Sequence, residues 1–335
     1  MSDSNWDKVE FQDFINKYSK KIIVDNAPAI LYSKKDKEHE AFNSLIAFFF
    51  ITGGLFIFIA LSIIFKFAEF SLVIFIAVIV VATAVDIALI IIYLRSHVQI
   101  KPIENWMEVY KGRTQGDIVF YCFAYYPVFS GKCHPNRAKN LLYKLFQEEL
   151  LNSKVDIAQI EVYLRLYLND PDKYEVIGYY FQYAEGTPFN SEKIDRNSWK
   201  FFPYDKTKDD NFLAIANWDH QFEWRDDLEL DYDKLHNYAP WIIQKWDEYS
   251  LKPLTKAFKN EVKWDLRGLE SVPKLKPWQA NFETNTYDNF RAYKDLQLMN
   301  DAIERIIGKD MKIEKLKDIK NYILEFKAYI RDLDS

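Results

Sequence analysis

Two long apolar stretches dominate the hydropathy pattern of the chain. Residues 42–65 carry no charged side chain, and residues 70–94 carry one, Asp86. A helix of about 24 residues is about 36 Å long, which exceeds the hydrocarbon core of a bilayer at about 30 Å. Only residues 66–69 separate the stretches, so the two helices would have to lie antiparallel. The pattern predicts a transmembrane helical hairpin over 41–95, with spans at 42–65 and 70–94.

Basic residues flank this predicted hairpin on both outer sides. They are Lys17, Lys20, Lys21, Lys34, Lys35 and Lys37 before it, and Arg95, Lys101, Lys111 and Arg113 after it. The turn holds only Lys66. Because basic residues concentrate on the cytoplasmic side of membrane proteins, the pattern predicts an integral membrane protein with both termini cytoplasmic. A plasma or inner membrane is favoured over an organelle, and the lipid bilayer is one expected partner.

Asp86 is the one charged residue within the predicted spans. It falls about 12 Å from the end of the second span, counted at 1.5 Å per residue, at the depth of Thr52, Gly53 and Gly54 in the first. Glycines allow close helix approach, and a threonine hydroxyl can hydrogen-bond a carboxyl group. This polar seam is either a proton or ion site, or a protonated acid that holds the hairpin or its oligomer together. The second interpretation is preferred, because one acid without a basic partner does not form a relay.

The chain after the hairpin shows strand patterns first. Residues 117–126 are β-branched and aromatic, which is typical of a buried strand. Residues 160–167 alternate between apolar and polar side chains, and a turn at 169–172 leads into a second extended stretch at 174–183. This pattern predicts a long β-hairpin with one buried face and one aromatic-rich face.

Apolar residues three and four apart predict helices elsewhere. An amphipathic helix is expected at 5–24 within an N-terminal cytoplasmic segment, 1–40, and another helix at 136–151. Residues 284–333 are expected to form a C-terminal helical hairpin. The predicted fold class is therefore membrane-anchored α+β: a two-helix transmembrane hairpin, then a cytoplasmic domain over 96–335 with antiparallel strands and a helical C-terminal part.

Residues 198–283 are rich in tryptophan and proline. Seven of the nine tryptophans lie here, and a helix is expected near 234–250. The tryptophans are either a stacking platform for a ligand or anchors that pin irregular backbone onto a small core. The second interpretation is preferred.

Charge and composition narrow the function classes. The net charge is −5 with the two signs interspersed, so a basic face for nucleic acid is not expected. Glycine is scarce at nine residues, which disfavours loops that cradle phosphates. The pair Gly131-Lys132 is not a phosphate-binding loop, because Tyr126 stands where that motif requires glycine.

The richest polar patch is the stretch 218–227. Its candidate ligands are Asp219, His220, Glu223, Asp226 and Asp227, which together offer imidazole and carboxylate groups to a divalent metal. The usual zinc spacings are absent, so a solvated acidic loop is preferred over a metal site. No catalytic residue, cofactor or metal is predicted from the sequence.

The leading hypothesis is a non-enzymatic protein whose cytoplasmic domain binds a protein partner, as a subunit of a membrane assembly or as an inhibitory or immunity-type protein. The alternative is a ligand-sensing effector whose hairpin oligomerises to perturb the membrane. A third hypothesis, an enzyme acting through the patch at 219–227, ranks below both. A homo-oligomer is compatible with either of the first two.

Overall fold

The computed structural model describes residues 6–33, 36–39, 52–54, 80–89, 91, 97–135, 140, 144, 155–184, 199–206, 212–225, 241–262, 269 and 272–284. These residues form mostly antiparallel β-sheet with few helices. The chain divides into two compact units, one made of residues 1–36 and 101–335 and the other of residues 37–100.

The first unit is built on a large sheet and a small sheet. The large sheet has the order β1-β5-β6-β8-β9-β10, with β14 beside β5 and β7 beside β6, and the small sheet has the order β12-β11-β2-β13. The strands are β1 Asp7–Val9, β2 Ala29–Ser33, β5 Pro102–Gln115, β6 Ile118–Phe129, β7 Asp156–Ile157, β8 Ile160–Tyr167, β9 Asp170–Gln182, β10 Trp199–Pro203, β11 Phe212–Ile215, β12 Phe222–Arg225, β13 Trp241–Gln244 and β14 Leu251–Pro253.

Both faces of the large sheet are buried around its central strand β6. On one face, the rings of Tyr121 and Phe123 meet Phe14 edge-on, with centroids 5.3 and 5.2 Å away. On the other face, Cys122 and Tyr126 belong to a core cluster that includes Trp6. The predicted buried strand at 117–126 is therefore confirmed, and its apolar side chains on both faces explain why the pattern lacks alternation.

The N-terminal segment does not form the single helix predicted at 5–24. Residues Asp7–Val9 form β1, which pairs antiparallel with β5, and two short helices follow, α1 Phe11–Lys17 and α2 Lys20–Asp25. Ser19 interrupts them, because its hydroxyl caps α2 by accepting a hydrogen bond from the backbone N–H of Lys21 at 3.2 Å.

The predicted β-hairpin is present as β8 and β9, which pair antiparallel. Its predicted one-sided burial is wrong, because Glu161 and Tyr163 on the polar side of β8 are also buried. The helix expected near 234–250 is wrong over its described part, since Trp241–Gln244 form β13. A short helix, α3, lies instead at Lys256–Glu261.

The second unit contains a short antiparallel pair, β3 Lys37–His39 and β4 His97–Gln99, and a helical stretch at 80–89. Within it, the Thr52 hydroxyl donates a hydrogen bond of 3.0 Å to the Asp86 carboxylate. Asp86 is buried. The structure thus brings these two predicted residues together, and Gly53 and Gly54, which follow Thr52, are helical like it.

The predicted transmembrane hairpin is contradicted. Searching the described residues, we find no helix with both the length and the apolar character needed to cross a membrane. The predicted membrane-anchored α+β fold class depended on this hairpin and is wrong. The predicted integral-membrane localisation with cytoplasmic termini depended on it as well and is also wrong.

Several further predictions fall on residues outside the described part of the chain. These are most of the spans at 42–65 and 70–94, the C-terminal helical hairpin at 284–333 beyond its first residue, and Asp226 and Asp227. Of the helix predicted at 136–151, residues 140 and 144 are described, and both are helical.

Candidate functional site

The structure separates the residues of the predicted acidic patch. Asp219 and His220 enter a buried group of charged side chains, whereas Glu223 lies on β12 and pairs with Arg225 at 2.8 Å. The solvated loop expected here is therefore not what Asp219 and His220 form. In the described residues no group of three or more His, Cys, Asp or Glu side chains is arranged to hold a metal ion.

The turn between β11 and β12 positions both residues. The Asn217 side-chain oxygen accepts hydrogen bonds from the backbone N–H groups of Asp219 and Gln221 at 3.1 and 3.2 Å. The backbone then passes through His220 with φ at 52°, a left-handed conformation that is uncommon for residues other than glycine. This turn directs the His220 ring into the protein, where it is 2% exposed.

The His220 ring is held between two carboxylates. Its Nδ1 lies 2.6 Å from Oδ2 of Asp156, and its Nε2 lies 3.2 Å from Oδ2 of Asp36. Phe129 stacks on the ring with centroids 4.0 Å apart. Burial lowers the pKa of His220, but the hydrogen bonds to Asp156 and Asp36 and their negative charges outweigh it and raise the pKa to about 9. The ring is therefore an imidazolium at neutral pH.

Lys132 adds a second cation to this group. Its Nζ lies 3.4 Å from Oδ1 of Asp156 and contacts Oδ1 of Asp219. We call Asp36, Lys132, Asp156, Asp219 and His220 the His220 cluster. The Lys132 ammonium also lies 5.5 Å from the centre of the Trp218 ring.

The carboxylates of the cluster differ in their protonation. Burial raises the pKa of Asp156, but the charge of Lys132 and the hydrogen bond from His220 outweigh it and leave that pKa below its ordinary value. Burial also raises the pKa of Asp219, and the charge of Lys132 only partly offsets it. The cluster therefore combines one carboxyl group whose pKa is lowered with another whose pKa is raised.

Sequence reasoning missed three members of the cluster. Asp156 and Asp36 lie 64 and 184 residues before His220 in the chain, so no local pattern connects them. Lys132 was considered only as part of a Gly-Lys pair. The adjacent polar residues Asp219 and His220 were the only local signal.

A second feature is an aromatic surface on β9, β10 and β12, which we call the aromatic patch. It consists of Tyr179, Phe181, Tyr183, Phe202, Tyr204 and Trp224. The rings of Phe202 and Trp224 are nearly parallel at 5°, with centroids 5.6 Å apart. Phe181 lies nearly parallel to Phe202 with ring centroids 5.0 Å apart, and it is a fully buried member of the patch. Tyr183, Phe202 and Trp224 are half-buried.

Lys200 borders this patch on β10. Its Nζ lies 4.7 Å from the centre of the Tyr183 ring and 5.5 Å from that of Phe202. Its side chain is exposed, and within the described residues it forms no ion pair with a carboxylate. The patch therefore combines flat apolar area with an available positive charge.

Comparison of the chain with protein-family models, with curated proteins and with solved structures found no match. The first unit thus offers two candidate functional features. One of them, the His220 cluster, is enclosed, and the other, the aromatic patch, reaches the surface.

Proposed function

We propose that this protein is a non-enzymatic binding protein that holds a protein partner at the aromatic patch. The observation that carries the proposal is the half-exposed set of rings around Phe202 and Trp224. Aromatic side chains are enriched at the centres of protein interfaces, because they bury a large area at low conformational cost. Singly scattered surface aromatics need no such explanation, but contiguous apolar patches mark interaction sites.

The charge of Lys200 defines the chemistry of this partner. An exposed ammonium group beside apolar rings favours a partner surface that places a carboxylate next to an aliphatic or aromatic side chain. Such a pair excludes water around the charges and gives the contact its orientation. Cation–π contact with Tyr183 and Phe202 holds the ammonium at the edge of the patch without removing it from solvent.

The test compares complexes of the full-length protein and its variants, purified from the native source. We expect one protein to copurify with the wild type at fixed stoichiometry, and its affinity to be measurable once both are isolated. Trp224→Ala is expected to weaken binding about 30-fold, since truncating an interface anchor costs about 2 kcal/mol. Lys200→Glu, which reverses the charge, is expected to weaken binding at least about tenfold.

Lys173→Glu is the matched control for Lys200→Glu. Lys173 is also an exposed lysine held over a tyrosine ring, 4.4 Å from the centre of Tyr167, but it lies outside the aromatic patch. It is expected to bind the partner like the wild type. A partner whose affinity falls equally in Lys173→Glu and Lys200→Glu, or in neither, overturns the proposal.

Ligand sensing is a second candidate for the same patch. The half-buried rings of Phe202 and Trp224 are nearly parallel and offer flat apolar area on which a flat aromatic molecule would pack. Native mass spectrometry of the purified wild type would then show a bound small molecule, and Trp224→Ala would lose it. If the purified protein shows no bound small molecule and binds a protein partner, ligand sensing is excluded.

A further inference from the structure

Lys132 and Asp219 form an unusual buried pair within the His220 cluster. Their side chains are 10% and 8% exposed, and the amine nitrogen contacts a carboxyl oxygen. That oxygen receives no hydrogen bond of ordinary geometry in the described part of the chain. Trp218 covers the amine from one side. An amine and a carboxyl group are thus pressed together where water has little access.

A second acid stands next to this pair. Oδ1 of Asp156 lies 3.4 Å from Nζ of Lys132, while its Oδ2 is held by the His220 ring at 2.6 Å. The other ring nitrogen is held by Asp36 at 3.2 Å. His220 therefore fixes Asp156 with one oxygen free to exchange a proton with the lysine nitrogen.

We infer that Lys132 and Asp219 become joined by an isopeptide bond, an amide between Nζ of the lysine and Cγ of the aspartic acid. The arrangement contains an amine, a carboxyl group in contact with it, and an adjacent acid to move protons. These three groups are sufficient for the condensation, and the reaction needs no oxidant, reductant or external reagent.

A proton passes from the lysine ammonium to the Asp219 carboxylate, which gives a neutral amine and a neutral acid. The nitrogen lone pair attacks Cγ and forms the new N–C bond, and Asp156 takes the second proton from the nitrogen. Asp156 then gives this proton to a hydroxyl group on Cγ, the C–O bond breaks, and one water molecule leaves.

The environment favours this product over a lasting ion pair. Two charges buried where water has little access are costly, and condensation removes both. Fixing two reacting groups in contact is equivalent to an effective concentration of about 10⁵ to 10⁸ M, which offsets the unfavourable equilibrium of amide formation in water. Burial raises the pKa of Asp219, in agreement with a carboxyl group that takes up the proton.

The ion pair of Lys259 with Glu108 lacks one of these groups, and its lysine side chain is 37% exposed. Lys259 lies 2.6 Å from Glu108, whose side chain is 1% exposed, but in the described residues no second acid lies within ion-pair distance of this lysine. The Glu108 pair is therefore expected to remain ionic. It provides a control within the same protein.

The test is the intact mass of the full-length protein under denaturing conditions. Lys132→Arg keeps the charge but removes the nucleophile. Its termini are those of the wild type, so terminal processing changes both masses equally. We expect the wild type to be lighter by one water molecule than its sequence, and Lys132→Arg, Asp219→Ala and Asp156→Asn to have full sequence mass. Lys259→Arg is expected to keep the deficit. Fragmentation of a protease digest should show one branched peptide containing Lys132 and Asp219.

The wild-type mass decides the question even where a variant fails to fold. A wild type of full sequence mass overturns the proposal. A mass deficit that persists in Lys132→Arg, or a branched peptide through another lysine, also overturns it. A deficit that persists in Asp156→Asn overturns the proton-transfer role given to Asp156.

Discussion

The stability of the folded protein is expected to depend on pH through His220, because two carboxylates contact its ring. Asp36 and Asp156 face the ring directly, and Lys132 lies beyond Asp156. The pKa of His220 is raised from 6.5 to about 9 in the folded protein. Because the folded-state value lies above the unfolded one, the stabilisation is fully present below about pH 6.5 and is lost as pH rises through about 9.

We therefore expect the free energy of unfolding to fall by a few kcal/mol between about pH 6 and about pH 9.5. Urea titrations across this range measure it. His220→Gln, which cannot carry the charge, should be less stable at pH 6 and should lose most of this slope. If the free energy of unfolding changes with pH equally in the wild type and in His220→Gln from pH 6 to pH 9.5, the pH dependence does not come from His220.

The sequence indicated only part of this residue-level picture. Asp219 and His220 stand out locally because polar residues cluster around them. Their environment depends on contacts across 64 and 184 residues, which no local pattern contains. For the same reason a solvated loop was expected where the fold makes an enclosed cluster. Burial is a property of the assembled sheets and not of the stretch 218–227.

Among the elements, the pairing of β9 with β10 depends on Gly178. A side chain there would meet the ring of Phe201 and the backbone carbonyl oxygen of Phe202 closer than van der Waals contact allows. Gly178→Ala is therefore expected to destabilise the protein by about 1–3 kcal/mol, measured by urea unfolding. The neighbouring backbone has to shift to relieve the contact, so the near-UV signal of the aromatic patch should change as well.

Gly116→Asn is the control for this substitution. Gly116 has φ at 59° and open space around the position of a Cβ, and asparagine adopts this conformation readily. We expect a change of less than about 0.5 kcal/mol. A control that costs as much as Gly178→Ala would show that glycine replacement in this sheet is generally harmful and not specific to the β9–β10 contact.

Strands were predictable where the pattern along the chain was unambiguous. Alternation at 160–167 and the aromatic run at 117–126 predicted β8 and β6, because side chains in strands alternate between faces. The helix at 5–24 failed for a local reason: Ser19 starts a second helix and residues 7–9 join the sheet. Apolar residues three and four apart predict a helical face. They do not predict the position at which a capping residue ends one helix and begins another.

For the whole molecule, the largest error was to infer transmembrane helices from hydropathy alone. The apolar stretches at 42–65, without charge, and 70–94, with Asp86 as its one charge, have the composition of membrane spans. Composition does not show that a stretch forms one long helix, and no helix in the described part of the chain has the length and apolar character needed to cross a membrane. The partner expected at Asp86 was nevertheless found, because Thr52 hydrogen-bonds it within the second unit.

Glu108 links three elements of the first unit, which makes it a test of how that unit holds together. It lies on β5 and accepts from Lys8 on β1 at 2.5 Å and from Lys259 on α3 at 2.6 Å. The hydroxyl groups of Tyr110 and Tyr126 also donate to it. Burial raises its pKa, but the hydrogen bonds and charges of Lys259 and Lys8 outweigh burial and leave the pKa below its ordinary value.

A lowered folded-state pKa means that this stabilisation is present above the unfolded value and is lost as pH falls through the folded one. Glu108→Gln is therefore expected to cost about 3 kcal/mol at neutral pH, and the difference from wild type should shrink as pH falls from about 5 to about 3. Glu175→Gln is the matched control. Glu175 is half-exposed and pairs with Lys206 and Arg165 at 3.5 and 3.9 Å, so its loss should cost less than about 1 kcal/mol. Equal costs for the two variants would mean that β1 and α3 are held by apolar packing alone, and that the buried carboxylate does not join them to the sheet.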